Sequence, residues 1–199
     1  MTVIDNILPA IAFKKLSDLI LSEEFTWHFG RQVDSDRVMT ENYFLNGWGN
    51  IAYLHGHSPN LEWKIIEPIL LDALERSGQI VDKFYRVRII LNTTADKNYV
   101  NMPHIDWDHP HRTALLYIND SDGPTLLYKE KYQYSTKLRV ADYYNQHYKN
   151  KELTVLEKIE PKANRLFWFE GNHFHAGTTP TTVPRRVVIN INYTVKDTE

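Results

Sequence analysis

The spacing of apolar residues changes character part-way along the chain. Residues 9–22 (PAIAFKKLSDLILS) place Ile11, Leu16, Leu19 and Ile20 at helical spacing. Residues 60–77 (NLEWKIIEPILLDALERS) carry a second helical pattern, opening on Asn60, a good N-cap, and closing before Gly78. Pro68 lies inside this second segment and predicts a kink or a split there, because proline removes a backbone donor.

From Val81 onward the apolar runs are short, β-branched or aromatic, and bounded by turn formers. Strands are predicted at 84–92, 112–119, 125–128, 153–159, 165–169 and 186–195, with a helix or long loop inserted at 139–150. Short strands following helices indicate an α+β protein, an antiparallel sandwich or jelly roll with helices on one side. With no repeat and no long linker, residues 1–199 read as a single domain, in which 1–80 form a helical support region and 81–199 the jelly-roll core.

The strand at 186–195 sorts by phase. Val187, Ile189, Ile191 and Tyr193 make one apolar face, while Arg186, Val188, Asn190 and Asn192 make the other. A polar face amid so much apolar sequence borders solvent or a polar cavity. Arg186 leads that face, whereas Arg185 belongs to the other side or to the preceding loop.

Charge and composition narrow the function. The chain has 23 Lys and Arg against 25 Asp and Glu, a formal charge of −2, which argues against a nucleic-acid partner. The absence of cysteine removes disulfides, thiolate zinc sites and cysteine nucleophiles. No apolar run approaches the ~20 residues of a membrane span, and Met1-Thr2-Val3-Ile4-Asp5 lacks the features of a signal peptide. The expectation is a cytoplasmic protein with no membrane association.

Among nine histidines, three clusters compete: His55-Gly56-His57, His104-Ile105-Asp106 with His109 and His111, and His173-Phe174-His175. In an extended segment, residues two apart share a face, so His104 and Asp106 can offer an imidazole and a carboxylate to one ion. Adding one more imidazole gives the facial triad that suits Fe(II) and leaves coordination positions open. His175, after a strong apolar strand, is the preferred third ligand, with His173 the alternative.

His104-x-Asp106, then His175, then Arg186 eleven residues later, resembles the 2-oxoglutarate/Fe(II) oxygenase superfamily, in particular its prolyl 4-hydroxylase-like branch. The segment FEGNHFHAGTTPTTVPRRVVIN resembles small members of phages and marine bacteria. The resemblance spans about residues 84–195 and implies a double-stranded β-helix (jelly roll) with N-terminal support helices packed on one sheet. It also implies Fe(II) as cofactor, with 2-oxoglutarate and O₂ as cosubstrates. Arg186 would bind the distal carboxylate, with Tyr117 (from Leu116-Tyr117-Ile118-Asn119) and Thr125 (from Gly123-Pro124-Thr125) beside it. The substrate would be a prolyl or other amino-acid residue of a peptide or protein, or a small molecule. Trp107, His109 and Asn192 are candidates for its side of the site, as are His111 and the 43–57 region with Trp48, Tyr53, His55 and His57.

Two departures stand out. Asn92-Thr93-Thr94-Ala95 occupies the place of a tyrosine that the family often has about ten residues before the HxD histidine, and Asn192 stands where prolyl hydroxylases have tryptophan. The alternatives are a cupin-type metalloenzyme that does not use 2-oxoglutarate, and a non-catalytic jelly-roll binding module.

Overall fold

The helical pattern of residues 9–22 becomes α1 (Ala10–Leu21) in the computed structural model, which describes residues 1–30, 47–57, 61–149 and 151–196. Leu16 and Ile20 are fully buried, while Ile11 is 74% exposed. Five steps of ~100° carry Leu16 about 140° around the helix from Ile11, which therefore lies off the buried stripe. The second helix, α2 (Trp63–Arg76), runs on through Pro68, and Gly78 follows its end at φ +78°. Pro68 and Lys64, whose carbonyl loses its partner, are both exposed, so water can replace the missing bond. Asn60 lies outside the described residues.

The strands are β1 (Thr2–Ile4), β2 (His28–Gly30), β3 (Gly47–Leu54), β4 (Val81–Thr93), β5 (Arg112–Tyr117), β6 (Thr125–Lys131), β7 (Val155–Ile159), β8 (Arg165–Glu170), β9 (His173–Gly177) and β10 (Arg185–Val195). A third helix, α3 (Val140–His147), occupies the 139–150 insertion. The first 80 residues are thus not purely helical, since β1 to β3 belong to the larger sheet. Their signals are weak: β1 and β2 are three residues each, and β3 begins Gly47-Trp48-Gly49, without β-branched residues.

Two antiparallel sheets face each other, one ordered β1-β8-β5-β10-β4-β3-β2 and the other β7-β6-β9. The outer face of the larger sheet packs on the helices, burying Leu16, Ile20, Ile66, Leu70 and Leu74 against Val87, Ile89, Leu116, Val187, Ile189 and Ile191. This is the apolar face of β10 expected from its phase. Between the sheets, Ile90, Leu115, Tyr117, Leu127, Phe167, Phe169 and Val188 fill one end of the sandwich. The other face of the small sheet holds α3 through Tyr128, Tyr132, Tyr143, Tyr144 and Phe174. Among the described residues, no helix is long and apolar enough to cross a membrane.

Candidate metal centre and its cavity

His104 and His175 are antiparallel bridge partners. Each backbone N–H donates to the other's carbonyl, at 3.0 and 2.9 Å, and the ring centroids lie 4.5 Å apart. Two residues after His104, Asp106 completes a group whose ligand atoms all lie within 4.8 Å of one another. His173 is outside it. The pairing of β6 with β9 is irregular between Leu127 and Lys131, and the Nδ1 of His173 lies 2.8 Å from the Tyr128 carbonyl.

The protonation state suits a metal. The Nδ1 of His104 lies 2.9 Å from the Met102 carbonyl, and that of His175 lies 3.3 Å from the His173 carbonyl. A carbonyl only accepts, so both Nδ1 atoms carry a proton, which leaves Nε2 as the ring atom each histidine can offer to a metal ion. The Nε2 of His175 is buried without a hydrogen-bond partner, as expected of an atom reserved for a metal ion. Burial, reinforced by the neighbouring His104, pushes the pKa of His175 down to about 3, so it stays neutral.

Burial opposes ionisation of Asp106, yet the positive charges beside it, Arg86 first, hold its carboxyl well below the usual range. Arg86 donates to Oδ1 at 2.6 Å, and Oδ2 accepts from Asn192 at 2.8 Å and from Asn190 and Thr113 at 3.2 Å each. The set is two imidazoles and one oriented carboxylate, which fits a divalent first-row ion.

Asn192 is turned towards Asp106 and is not among the residues lining the cavity that His104 and His175 border. It is fully buried, donating to Asp106 through Nδ2 and accepting from the Arg86 Nε at 3.2 Å. Its phase on β10 is the expected one, but the register opposite Arg86 turns it towards the carboxylate. Asn192→Leu is expected to weaken divalent-metal binding by about 10- to 100-fold, the usual cost of losing an outer-shell partner. Calorimetric titration of the apoprotein with Zn(II) checks this, and unchanged affinity would make Asn192 a packing residue only.

A cavity opens from the triad along the inner face of the larger sheet. It is lined by Arg88, Ile90 and Asn92 of β4, by Arg186, Val188 and Asn190 of β10, and by His104, His175, Asn101, Thr125, Leu115 and Gly177. Arg186 lies in it, 3% exposed, while Arg185 is exposed at the surface. The Arg186 guanidinium donates to the Gly123 carbonyl and to Thr125 Oγ1, both at 2.8 Å, and stacks 5.6 Å from the Tyr117 ring centre. Tyr117 donates to the same Thr125 oxygen at 2.8 Å. With both lone pairs taken, the Thr125 hydroxyl has its own proton left to give a ligand. Burial raises the Tyr117 pKa, so the phenol stays a neutral donor.

Gly123 holds this end together. A Cβ there would come within 2.7 Å of the Thr178 carbonyl and 2.9 Å of the Pro180 nitrogen, both backbone atoms. Next to it, burial opposes ionisation of Asp122, but the hydroxyl of Thr181 and the N–H groups of Thr181 and Thr182 outweigh this, holding its pKa at about 2. Gly123→Ala is expected to destabilise the fold by about 1–3 kcal/mol, the cost of overpacking, and to displace the carbonyl that fixes Arg186. Urea denaturation measures the first effect, and an unchanged midpoint would mean that the Thr178–Pro180 backbone yields freely.

Of the other candidates named from the sequence, Trp107 and His109 are not among the residues lining the cavity. Trp107 lies 4.9 Å from the His55 ring, 5.5 Å from His109 and 5.5 Å from the Arg86 guanidinium, so it reaches the centre through Arg86. His111 is buried, its ring filling the space where a Gly171 side chain would sit, and is not among the residues lining the cavity. Tyr53 packs on Trp63 and Phe84, and Trp48 on Phe29. His55 and Gly56 form a two-residue hairpin turn at φ +48° and +85°, closed by Leu54 and His57, and both histidines are exposed. Tyr43 lies outside the described residues.

Sequence reasoning missed Arg86, Arg88 and Asn92. The signal was present, since the alternation applied to β10 also puts these residues of β4 on one face. Pairing then sets Arg86 opposite Asn192, Arg88 opposite Asn190 and Asn92 opposite Arg186.

No family model matches the sequence, and a search of curated proteins finds no match. Solved structures do match over nearly the whole chain. A prolyl hydroxylase from Trichoplax adhaerens, in complex with a hypoxia inducible factor oxygen degradation domain peptide fragment, aligns with a TM-score of 0.59 and 16% identity, over 98% of this chain and 83% of that one. A prolyl-4-hydroxylase from Pseudomonas putida aligns with 0.53 and 13%, over 98% and 92%. The non-heme alpha ketoglutarate dependent epimerase SnoN from nogalamycin biosynthesis aligns with 0.64 and 9%, over 98% and 78%. The chain has the fold of these proteins, a double-stranded β-helix with helices covering its larger sheet. Fold and site together define a protein built around a His-Asp-His cluster inside that sandwich.

Proposed function

We propose that the protein is a non-haem Fe(II)- and 2-oxoglutarate-dependent dioxygenase that hydroxylates an unactivated C–H bond. The observation that carries this reading is that His104 and His175 of the His104-Asp106-His175 cluster line the same cavity as the buried Arg186. A metal site alone serves many chemistries. A buried guanidinium in the same cavity, with a threonine hydroxyl beside it, calls for a carboxylate on whatever the metal also binds.

His104 and His175 would hold the ion through their imidazoles, and Asp106 through a carboxylate that Arg86 and Asn192 orient. Arg186 and Thr125 take the distal carboxylate of 2-oxoglutarate, with Tyr117 fixing the Thr125 hydroxyl. When bound, Fe(II) supplies the redox chemistry by which 2-oxoglutarate, O₂ and a substrate C–H become succinate, CO₂ and an alcohol. The protein contributes ligand geometry, charge pairing and exclusion of water from the sandwich.

The substrate we propose is a prolyl or other amino-acid residue of a peptide or protein, with a small molecule as the other class. The fold likeness to prolyl hydroxylases, one of them in complex with a peptide fragment, supports the first. The likeness to an enzyme of nogalamycin biosynthesis supports the second.

The test is succinate formation from 2-oxoglutarate by protein loaded anaerobically with Fe(II) and then exposed to O₂, beside a His104→Ala control. Slow turnover without substrate that disappears in the control is the expected result. No turnover, together with no 2-oxoglutarate binding, would overturn the reading in favour of a cupin-type metalloenzyme or a binding module.

A further inference from the structure

Asn92 is a buried amide whose donor is left over. It sits on β4 directly opposite Arg186 of β10, on the cavity face, and is only 1% exposed. Its Oδ1 lies 3.5 Å from the Arg186 Nη1. A guanidinium only donates, so this contact fixes the amide with its oxygen towards Arg186 and its Nδ2 turned away. That Nδ2 is buried and has no hydrogen-bond partner. An unsatisfied buried donor of this kind is costly in a protein that serves no ligand there.

The surroundings select the ligand. The unused Nδ2 lies on the amide that contacts Arg186, and the Thr125 hydroxyl that accepts from Arg186 and Tyr117 lines the same cavity. Both groups offer protons beside a fixed positive charge. Two donors beside a guanidinium suit a ligand that only accepts, and a carboxylate does so with the opposite charge, whereas a cation would be repelled.

We propose that Asn92 is a binding residue for the distal carboxylate of the 2-oxo acid, donating through Nδ2 alongside Arg186; this rests on the proposed function. Asn92 thereby sets the preference for a dicarboxylate over a 2-oxo acid with a plain alkyl tail.

The test is calorimetric binding of 2-oxoglutarate and of 2-oxobutyrate, which lacks the distal carboxylate, to Zn(II)-loaded protein. Zinc keeps the measurement free of turnover. Wild type is expected to prefer 2-oxoglutarate. Asn92→Leu should shrink that preference about tenfold, the worth of one hydrogen bond to a charged group, with 2-oxobutyrate binding little changed. Asn92→Asp should shrink it further, because its carboxylate pairs with Arg186 and repels the ligand. Retained 2-oxobutyrate binding reports that each variant is folded, and Asn92→Ala repeats the reading without added bulk. If wild type discriminates and the Leu and Ala variants keep the whole preference, the inference about Asn92 is overturned while the proposed function stands. If wild type does not discriminate at all, the proposed function itself fails.

Discussion

Asp106→Ala is expected to abolish divalent-metal binding and with it any turnover of 2-oxoglutarate. Loss of an outer-shell partner costs roughly 10- to 100-fold in affinity, and loss of the only anionic ligand should exceed that. Stability should suffer too. The side chains of Asp106 and Arg86 are only 1% and 14% exposed, and they meet in a 2.6 Å ion pair. Removing the carboxylate leaves a poorly solvated guanidinium, a change that typically costs about 3–5 kcal/mol. Asp106→Asn separates the two effects, since it keeps the shape and one acceptor while removing the charge. It should lose the metal but less of the stability. Zn(II) calorimetry and urea denaturation of the apoproteins measure both, and a metal affinity within tenfold of wild type for the Ala variant would remove Asp106 from the ligand set.

Arg186→Leu is the second large effect. The guanidinium is 3% exposed and held by the Gly123 carbonyl, Thr125 and the Tyr117 ring. Truncating one partner of a buried charge pair costs about 2–5 kcal/mol, so 2-oxoglutarate should bind some 30- to several-thousand-fold more weakly. Zn(II) affinity should hardly move, because the guanidinium is anchored on Gly123, Thr125 and Asn92, at the end of the cavity away from Asp106. Arg186→Lys should restore little, since an ammonium cannot reproduce the planar fork. A variant that loses metal and 2-oxo acid together would mean that Arg186 supports the fold and not the cosubstrate.

Both predictions depend on one construction. The inner face of β4 and β10 forms a ladder of polar pairs, Arg86 with Asn192, Arg88 with Asn190 and Asn92 with Arg186. One end of the ladder serves the Asp106 carboxylate, and the other lies beside Thr125. Val87, Ile89, Val187, Ile189 and Ile191 face the helices, while the pair Ile90–Val188 stands within the ladder on the inner face. Each strand thus separates a dry core from a polar cavity across the thickness of one sheet.

Local pattern sufficed for much of this. The two-residue period of β10 put Arg186 inside and Arg185 outside, because successive strand side chains point to opposite faces. The HxD spacing put an imidazole and a carboxylate together for the same reason, and the helical period found α1 and α2. What local pattern could not supply was register. Whether Asn192 meets a substrate or an aspartate depends on which residue of β4 lies across from it, and that is fixed by pairing over a hundred residues of sequence. The choice of His175 over His173 depends likewise on the bridge to His104 and on the irregular pairing of β9 with β6. The strands of the first 80 residues were hidden for a related reason, being short or glycine-bearing segments stabilised by the sheet edge they join. Side-chain direction is a local property of the backbone and can be read from the sequence, whereas the partner a side chain meets is decided only when distant strands pair.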